Sequence, residues 1–404
     1  MTALAGAEPL VQAQAAEVQR LQFFLSEATW NAEAINARRL ALLAAEPATA
    51  PSAEGVLVID DTGDRKDGSA TDHVARQYLG SVGKIDDGIV AVTTLWAGEE
   101  RYYPLHVMPY TPGKRLTGGK LDPGFRTKPQ IALALVEQAQ AAGIAFSAIV
   151  ADCFYGDHRA LEKALLERRL PHVLARRGAV GRGRVPAKED HSFADAAEAL
   201  PLRAWQPVIR RFRDGHAERW WAAELTIFGY CPDKAVRAVC ATTDRRALPS
   251  LSTWYLTTNL SAPLEEIVRL YGLRNWVEQS YKQMEDELGW ALLLVRRDRA
   301  IRRHWTLVCC AFLGYALRGG FFSLVFPRKL FLLYQLVLRQ IPDHRQKHPA
   351  RNRQIGRIDI FDTYVVGVLG QRHQTVFERP ARVGQVDVHI FFIGRNLPAF
   401  DVAF

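Results

Sequence analysis

Cysteine is scarce and unpatterned in this chain. The five cysteines fall at 153, 231, 240, 309 and 310, with no CxxC pair. That spacing argues against a zinc site. An odd, scattered set also predicts a reducing compartment, hence a cytoplasmic location. Long apolar runs are missing too. The most apolar region, 304–336, is broken by Arg318, Arg328 and Lys329, so no membrane span and no membrane partner are expected. The opening segment MTALAGAEPLVQAQAAEVQR lacks a basic start followed by an apolar core, and no signal peptide is expected. No internal repeat is visible.

What remains is an ordinary soluble composition, 48% hydrophobic and 24% charged. A chain of 404 residues exceeds one ordinary core. It predicts about two or three domains, or one domain with a large insertion. The net charge of +9 favours a polyanionic partner and says little about fold.

Residues 10–45 show helical periodicity, followed by an Ala/Pro/Ser linker at 47–54. Val56–Ile59 reads as a short buried strand ending in Asp60 and Asp61, with a long polar loop over 62–87. Ile89–Trp96 and Arg101–Met108 read as two strands of a hairpin. A helix over 129–142, a strand over 145–151 ending in Asp152, a helix over 157–169 and a strand over 171–175 follow. The order is β-β-β-α-β-α-β. Residues 176–253 break that rhythm with strand-like runs at 205–212, 219–228 and 235–242, a β-rich insertion. A strand at 253–259 and helices at 264–288 and 298–318 complete the readable part, with Ser261 as N-cap of the first helix. The resulting division is 1–50 helical, 51–175 core, 176–253 insertion, 254–320 core, and 321–404 a tail of unclear structure.

The helix at 264–288 carries Tyr271, Arg274, Glu278 and Lys282. At about 100° per residue these fall within roughly 80° of one face. Alone, the pattern also describes a solvated face with an Arg274–Glu278 pair. Three acids stand out together: one at the end of the first strand, Asp152 after the fourth, and Glu278 on a later helix. Carboxylates from adjacent strand ends plus one from a packed helix make an oxygen-rich pocket suited to Mg2+ or Mn2+. Two such ions about 4 Å apart can drive phosphodiester cleavage.

With that pattern in place, the chain resembles a DDE transposase of the insertion-sequence type. The resemblance rests on Ile59-Asp60-Asp61-Thr62-Gly63, Val74-Ala75-Arg76-Gln77-Tyr78, Val150-Ala151-Asp152-Cys153-Phe154-Tyr155-Gly156, and Tyr271-x2-Arg274-x3-Glu278. It covers roughly residues 17–318. It implies an α/β fold: an RNase H-like mixed sheet flanked by helices, with a β-rich insertion and a short helical N-terminal region. It implies Asp61, Asp152 and Glu278 as catalytic and metal-binding residues, with Asp60 the competitor of Asp61. Neighbouring strand residues face opposite sides, so only one of the two should bind metal. It implies two Mg2+ or Mn2+ ions, and DNA contacts by Tyr271 and Arg274; Lys282, one turn after Glu278, and Arg76, flanking the first acid, are expected to join them through their charge. Trp254 matches a tryptophan that can stack a flipped base; alone it equally describes a core tryptophan.

The implied function is cleavage at the element's terminal inverted repeats and strand transfer into target DNA, by a homodimer on double-stranded DNA, associated with the nucleoid when bound. One departure is Glu285, which stands where the motif expects lysine. The alternatives are a catalytically inactive, transposase-derived DNA-binding protein and an RNase H-like nuclease. Basic clusters at 65–84, 176–188 and 296–303 fit a DNA groove.

Overall fold

A long mixed sheet organises the chain, because its central strands bury both faces. The computed structural model describes residues 23–178, 192–212, 215–227, 236–249, 252–291 and 295–316. The expectations for residues 1–22, for Arg182, Arg184 and Lys188, and for the tail lie outside the described residues.

The elements run α1 (Ala32–Ala45), β1 (Val56–Arg65), β2 (Ala75–Leu79), β3 (Lys84–Ala97), β4 (Tyr102–Tyr110), α2 (Lys128–Ala141), β5 (Ala148–Ala151), α3 (Cys153–Gly156), α4 (Arg159–Glu167) and β6 (His172–Arg176). Then come α5 (Phe193–Glu198), β7 (Gln206–Arg211), β8 (Ala217–Leu225), β9 (Arg237–Thr242), β10 (Thr253–Thr258), α6 (Leu264–Gly272), α7 (Trp276–Lys282) and α8 (Asp298–Ala316). Among the described residues, ten strands form one sheet in the order β2-β3-β1-β5-β6-β10-β9-β8-β7, with β4 also on β3. The pairs β1–β5 and β5–β6 are parallel. The others are antiparallel. This is the mixed, helix-flanked sheet of an RNase H-like fold. Among the described residues no helix is long and apolar enough to cross a membrane.

The alternation of β1 sorts its two faces. Leu57 and Ile59 pack with residues of α1, α2, α4 and α8. Val56 and Val58 pack with Ile267, Val268 and Leu270 of α6. A strand covered on both sides reads as a continuous apolar run. The three strands expected in the insertion all form, and they extend the same sheet beyond β10. Phe193 and Ala197 of α5 cover their outer face with Trp205, Leu225 and Cys240.

Two expectations are corrected. Residues 62–87 are only partly loop: β1 continues to Arg65, paired with β3 as far as Gly88, and β2 lies alongside, leaving 66–74 and 80–83 as connections. Their polar composition disguised an outer part of the sheet. Ser261 does not cap α6; Pro263 holds that place, with no side-chain cap. By contrast, Thr127 and Gln130 form a reciprocal capping box at α2.

A buried ion pair ties α4 to the sheet. Arg176 Nη2 lies 2.6 Å from Glu162 Oε2, and Thr257 donates to the other Glu162 oxygen at 3.0 Å. Arg176 also donates to the Gly156 carbonyl, so α3 lies flat on β6. A Cβ at Gly156 would overlap the Ala175 carbonyl oxygen, which is backbone and cannot turn aside. Gly156→Ala is therefore expected to cost about 1–3 kcal/mol through overpacking, read as a lower midpoint in thermal denaturation. An unchanged midpoint would show that α3 has room to lift.

Candidate active site

The parallel ladder between β1 and β5 ends at the pair Ile59 and Ala151. Asp60 and Asp152 each come one residue later. Paired residues on neighbouring strands share a face, so the two acids come side by side. They continue the face of Val58 and Val150, which packs on α6. Asp152 also caps α3, accepting from the Tyr155 amide at 3.3 Å.

Arg274 faces this pair. Its Nη2 donates to Asp60 Oδ2 at 2.7 Å. Its Nε is buried without an acceptor among the described residues. Burial pushes the Asp60 carboxyl up to about 7, against the pull of Arg274, and the charges of Asp152 and Asp61 add to the rise. Burial also raises Asp152, opposed by Arg274 and reinforced by Asp61. On Arg274, burial works downward, but Asp60, Tyr271 and Asp152 hold its pKa above the ordinary value. Tyr271 is itself buried, which raises its hydroxyl pKa, and it feels Arg274, Asp152 and Asp60. Tyr271, Arg274, Asp60 and Asp152 are thus brought together.

Asp61 turns the other way. One oxygen accepts from Lys128 Nζ at 2.9 Å, the other from the Tyr155 hydroxyl at 2.9 Å. Lys128 lies 5.2 Å from the Phe154 ring centroid and 5.8 Å from that of Tyr110. Lys128 and Tyr155 were not assigned roles from sequence. A signal existed for Lys128: a cation in the first turn of a helix opposes the helix dipole and calls for a partner.

The expected single face of the long helix divides. A 3-10 turn at Leu273–Asn275 separates α6 from α7, and a π-helical turn follows at Gln283–Glu287. Both change the angular step. Tyr271 and Arg274 turn towards the acids. Glu278 has a side chain 64% exposed and its Oε1 is 3.9 Å from Arg274 Nη1. Lys282 is exposed. Glu285 turns inward and accepts from Thr62 Oγ1 at 2.7 Å.

Trp254 is half-buried on β10. Trp220 lies 4.3 Å away, Tyr271 meets it edge-on at 4.9 Å, and the Arg210 guanidinium lies over it at 4.7 Å. Arg76 is exposed on β2. Arg176 and Arg303 leave the basic clusters, since both are buried. Arg176 serves Glu162, and Arg303 donates to the Leu25 and Trp30 carbonyls.

The donor set at Asp60 and Asp152 fits a hard divalent cation: a buried and a half-buried carboxylate whose negative charges oppose each other. The adjacent Cys153 thiol is pushed up by burial and by Asp152, which keeps it protonated and a poor ligand. Among the described residues no three His, Cys, Asp or Glu side chains already converge to hold a metal. Glu278 is an exposed carboxylate on α7 that reaches the site through Arg274, 3.9 Å from its Nη1.

Beyond Thr62 on the same strand, Asp64 is buried beside Glu285, and the Trp290 indole donates to it. Burial, then Glu285, pushes its carboxyl up to about 7 from 3.8. The native state therefore binds this proton more tightly than the unfolded chain. Stability falls as pH rises from about 4 to about 7, and above that the charge is buried at full cost. Asp64→Asn, which still accepts from the indole, is expected to raise stability at pH 8 by on the order of 2 kcal/mol. The gain should vanish near pH 4. Denaturant titrations of both proteins at the two pH values check this. An equal effect at both would remove proton binding as the cause.

A family model described as DDE superfamily endonuclease matches residues 7–188. A probable transposase for insertion sequence element IS701, from Microchaete diplosiphon, is 33% identical over 316 residues, spanning 76% of this chain and 76% of that protein. The chain belongs to the DDE transposases of the insertion-sequence type.

Proposed function

We propose that this transposase cuts DNA at the terminal inverted repeats of its own element, with Asp60, Asp152 and Glu278 as its metal-binding carboxylates. The observation that carries this is the ladder ending at Ile59 and Ala151, which sets Asp60 and Asp152 on the face of α6. The resemblance matched Asp61 to the first acid. The face argument favours its competitor, Asp60, because Asp61 is engaged by Lys128 and Tyr155. In this reading Asp61 positions the strand.

DDE enzymes work with divalent metal ions; here the reading is Mg2+ or Mn2+ at two positions, held by Asp60, Asp152 and Glu278. Bound there, such ions supply Lewis acidity for phosphodiester hydrolysis and strand transfer. The chain does the positioning. Arg274 has a buried, unsatisfied Nε and a guanidinium already at the acids. It can exchange Asp60 for a phosphate oxygen without leaving the site. Tyr271 lies beside it and orients the DNA end. Glu278 turns in from α7 to complete the ligand set. Water attacks the scissile phosphorus, the bond to the 3′ oxygen breaks, and that oxygen leaves as a hydroxyl. The hydroxyl then attacks a target phosphodiester in line and displaces its 3′ oxygen.

Lys282 and Arg76 are exposed and suited to backbone phosphates. Trp254 belongs to the same DNA-facing region. Joining two ends calls for a homodimer on the DNA, working in the cytoplasm on the nucleoid. Glu285, engaged with Thr62, lends no weight to an inactive protein.

The test is cleavage of labelled duplexes taken from either side of the coding sequence, in Mg2+ and in Mn2+. Asp60→Asn, Asp152→Asn and Glu278→Gln are expected to fall to the level of a no-enzyme control while still binding DNA. Asp61→Asn should retain a measurable rate. Cutting by Asp60→Asn with none by Asp61→Asn would reverse the assignment of the first acid. Full activity in Glu278→Gln would remove the helix acid from the ligand set.

A further inference from the structure

β7 is the last strand of the sheet on the insertion side, and Arg210 brings it to the catalytic helix. Its guanidinium carbon lies 4.8 Å from the ring centroid of Phe212, 4.8 Å from Trp220 and 4.7 Å from Trp254. Gly272, the last residue of α6, makes room for it. A Cβ there would come within 2.9 Å of Arg210 Nη2. Gly272 lies between Tyr271 and the turn that carries Arg274. Arg210 therefore borders the proposed active site from the insertion side.

The natural ion-pair partner is occupied elsewhere. Glu218 sits directly opposite Arg210 on β8. Its carboxylate instead accepts from the Trp220 indole at 2.9 Å and lies 3.7 Å from His216. Among the described residues the Arg210 guanidinium makes no hydrogen bond or ion pair. Burial is the largest influence on its pKa and lowers it, with Glu218 and Glu99 opposing. A planar guanidinium held on indole faces loses little freedom when its edge donors meet an anion. Phosphate oxygens match that fork, and the charge-assisted bonds are among the stronger ones. The aromatic bed serves only to orient; it neutralises nothing.

We propose that Arg210 binds a phosphate of the element-end DNA next to the one being cut. This rests on the transposase reading. It also gives Trp254 a definite task. With one face under Arg210 and Trp220 close by, Trp254 holds the guanidinium instead of offering an open face to a base.

The test uses the full chain, a short fluorescent DNA duplex without divalent ions, and anisotropy titrations over a series of NaCl concentrations. Arg210→Met is expected to bind roughly tenfold more weakly, with the slope of log affinity against log salt reduced by about one. Arg210→Lys should keep the wild-type slope and lose part of the affinity, because it keeps the charge without the planar fork. Thermal melting reports whether each variant is folded. A folded Arg210→Met with wild-type affinity and slope would overturn the proposal. So would weaker binding with an unchanged slope and a lower melting point, which marks a packing residue. Should Arg210→Met fail to fold, Arg210→Lys decides, and wild-type affinity there overturns it. Failure of the wild-type protein itself to bind DNA would instead overturn the transposase reading on which it rests.

Discussion

Two like charges set side by side at the edge of the core are the constraint to which the rest of the site answers. The β1–β5 register leaves Asp60 and Asp152 no alternative face. In a low-dielectric interior their repulsion would draw a proton onto one of them or open the sheet. Arg274 offsets it, and Arg274 can do so only if α6 and α7 dock on the sheet. Ile267, Val268, Leu270, Leu273 and Val277 provide that docking through apolar burial. The 3-10 turn at Leu273–Asn275 then aims Arg274 inward. Tyr281 adds a fixed point beyond it, with its hydroxyl 2.6 Å from Thr93 Oγ1 on β3. The helix is thus held at both ends of the ion pair. A carboxylate pair restrained by a single guanidinium is ready to exchange that partner for other positive charge.

The fold was legible wherever period and burial agreed. The apolar run at 56–59 and the hairpin at 89–108 became strands, and the run at 145–151 did so from Ala148 onward. The outer part of β1 and the strand β2 were not legible, because Thr62, Asp64, Arg65, Arg76 and Gln77 are polar. They are ordered by their neighbours in the sheet, a tertiary effect that local sequence does not carry. The site divided in the same way. Asp152, Tyr271 and Arg274 were readable from their spacing, and the structure brings them together. The choice between Asp60 and Asp61 was not, since alternation says that the two differ and not which one faces α6. Only the neighbouring ladder, by ending at Ile59 and Ala151, supplies that phase.

Basic residues show why charge count and DNA contact are separate questions. Arg176 and Arg303 belong to sequence clusters that look like a groove, yet each satisfies buried acceptors. Arg76 and Lys282 keep exposed side chains. Arg210 lies outside every cluster named from sequence, and its surroundings are aromatic. What separates the groups is the availability of a partner. A guanidinium in a buried ion pair has already exchanged its hydration for protein acceptors, and offering it to phosphate would leave those acceptors unpaired.

The same reasoning removes the difficulty raised by Glu285. On an unbroken helix it would share a face with Glu278, and an acid there would repel phosphate. The π-helical turn at Gln283–Glu287 rotates it away, and burial raises its carboxyl while Thr62 donates to it. The acid beside it, Asp64, is raised by burial as well. These two carboxyls, close together and both displaced towards the protonated form, fasten the end of the helix to the outer half of β1. A lysine at 285 would meet Thr62 and Asp64 rather than DNA. The departure from the motif is therefore a change in how this helix is anchored. The cation one turn after Glu278, Lys282, is left on the solvent side, where a phosphate backbone can reach it.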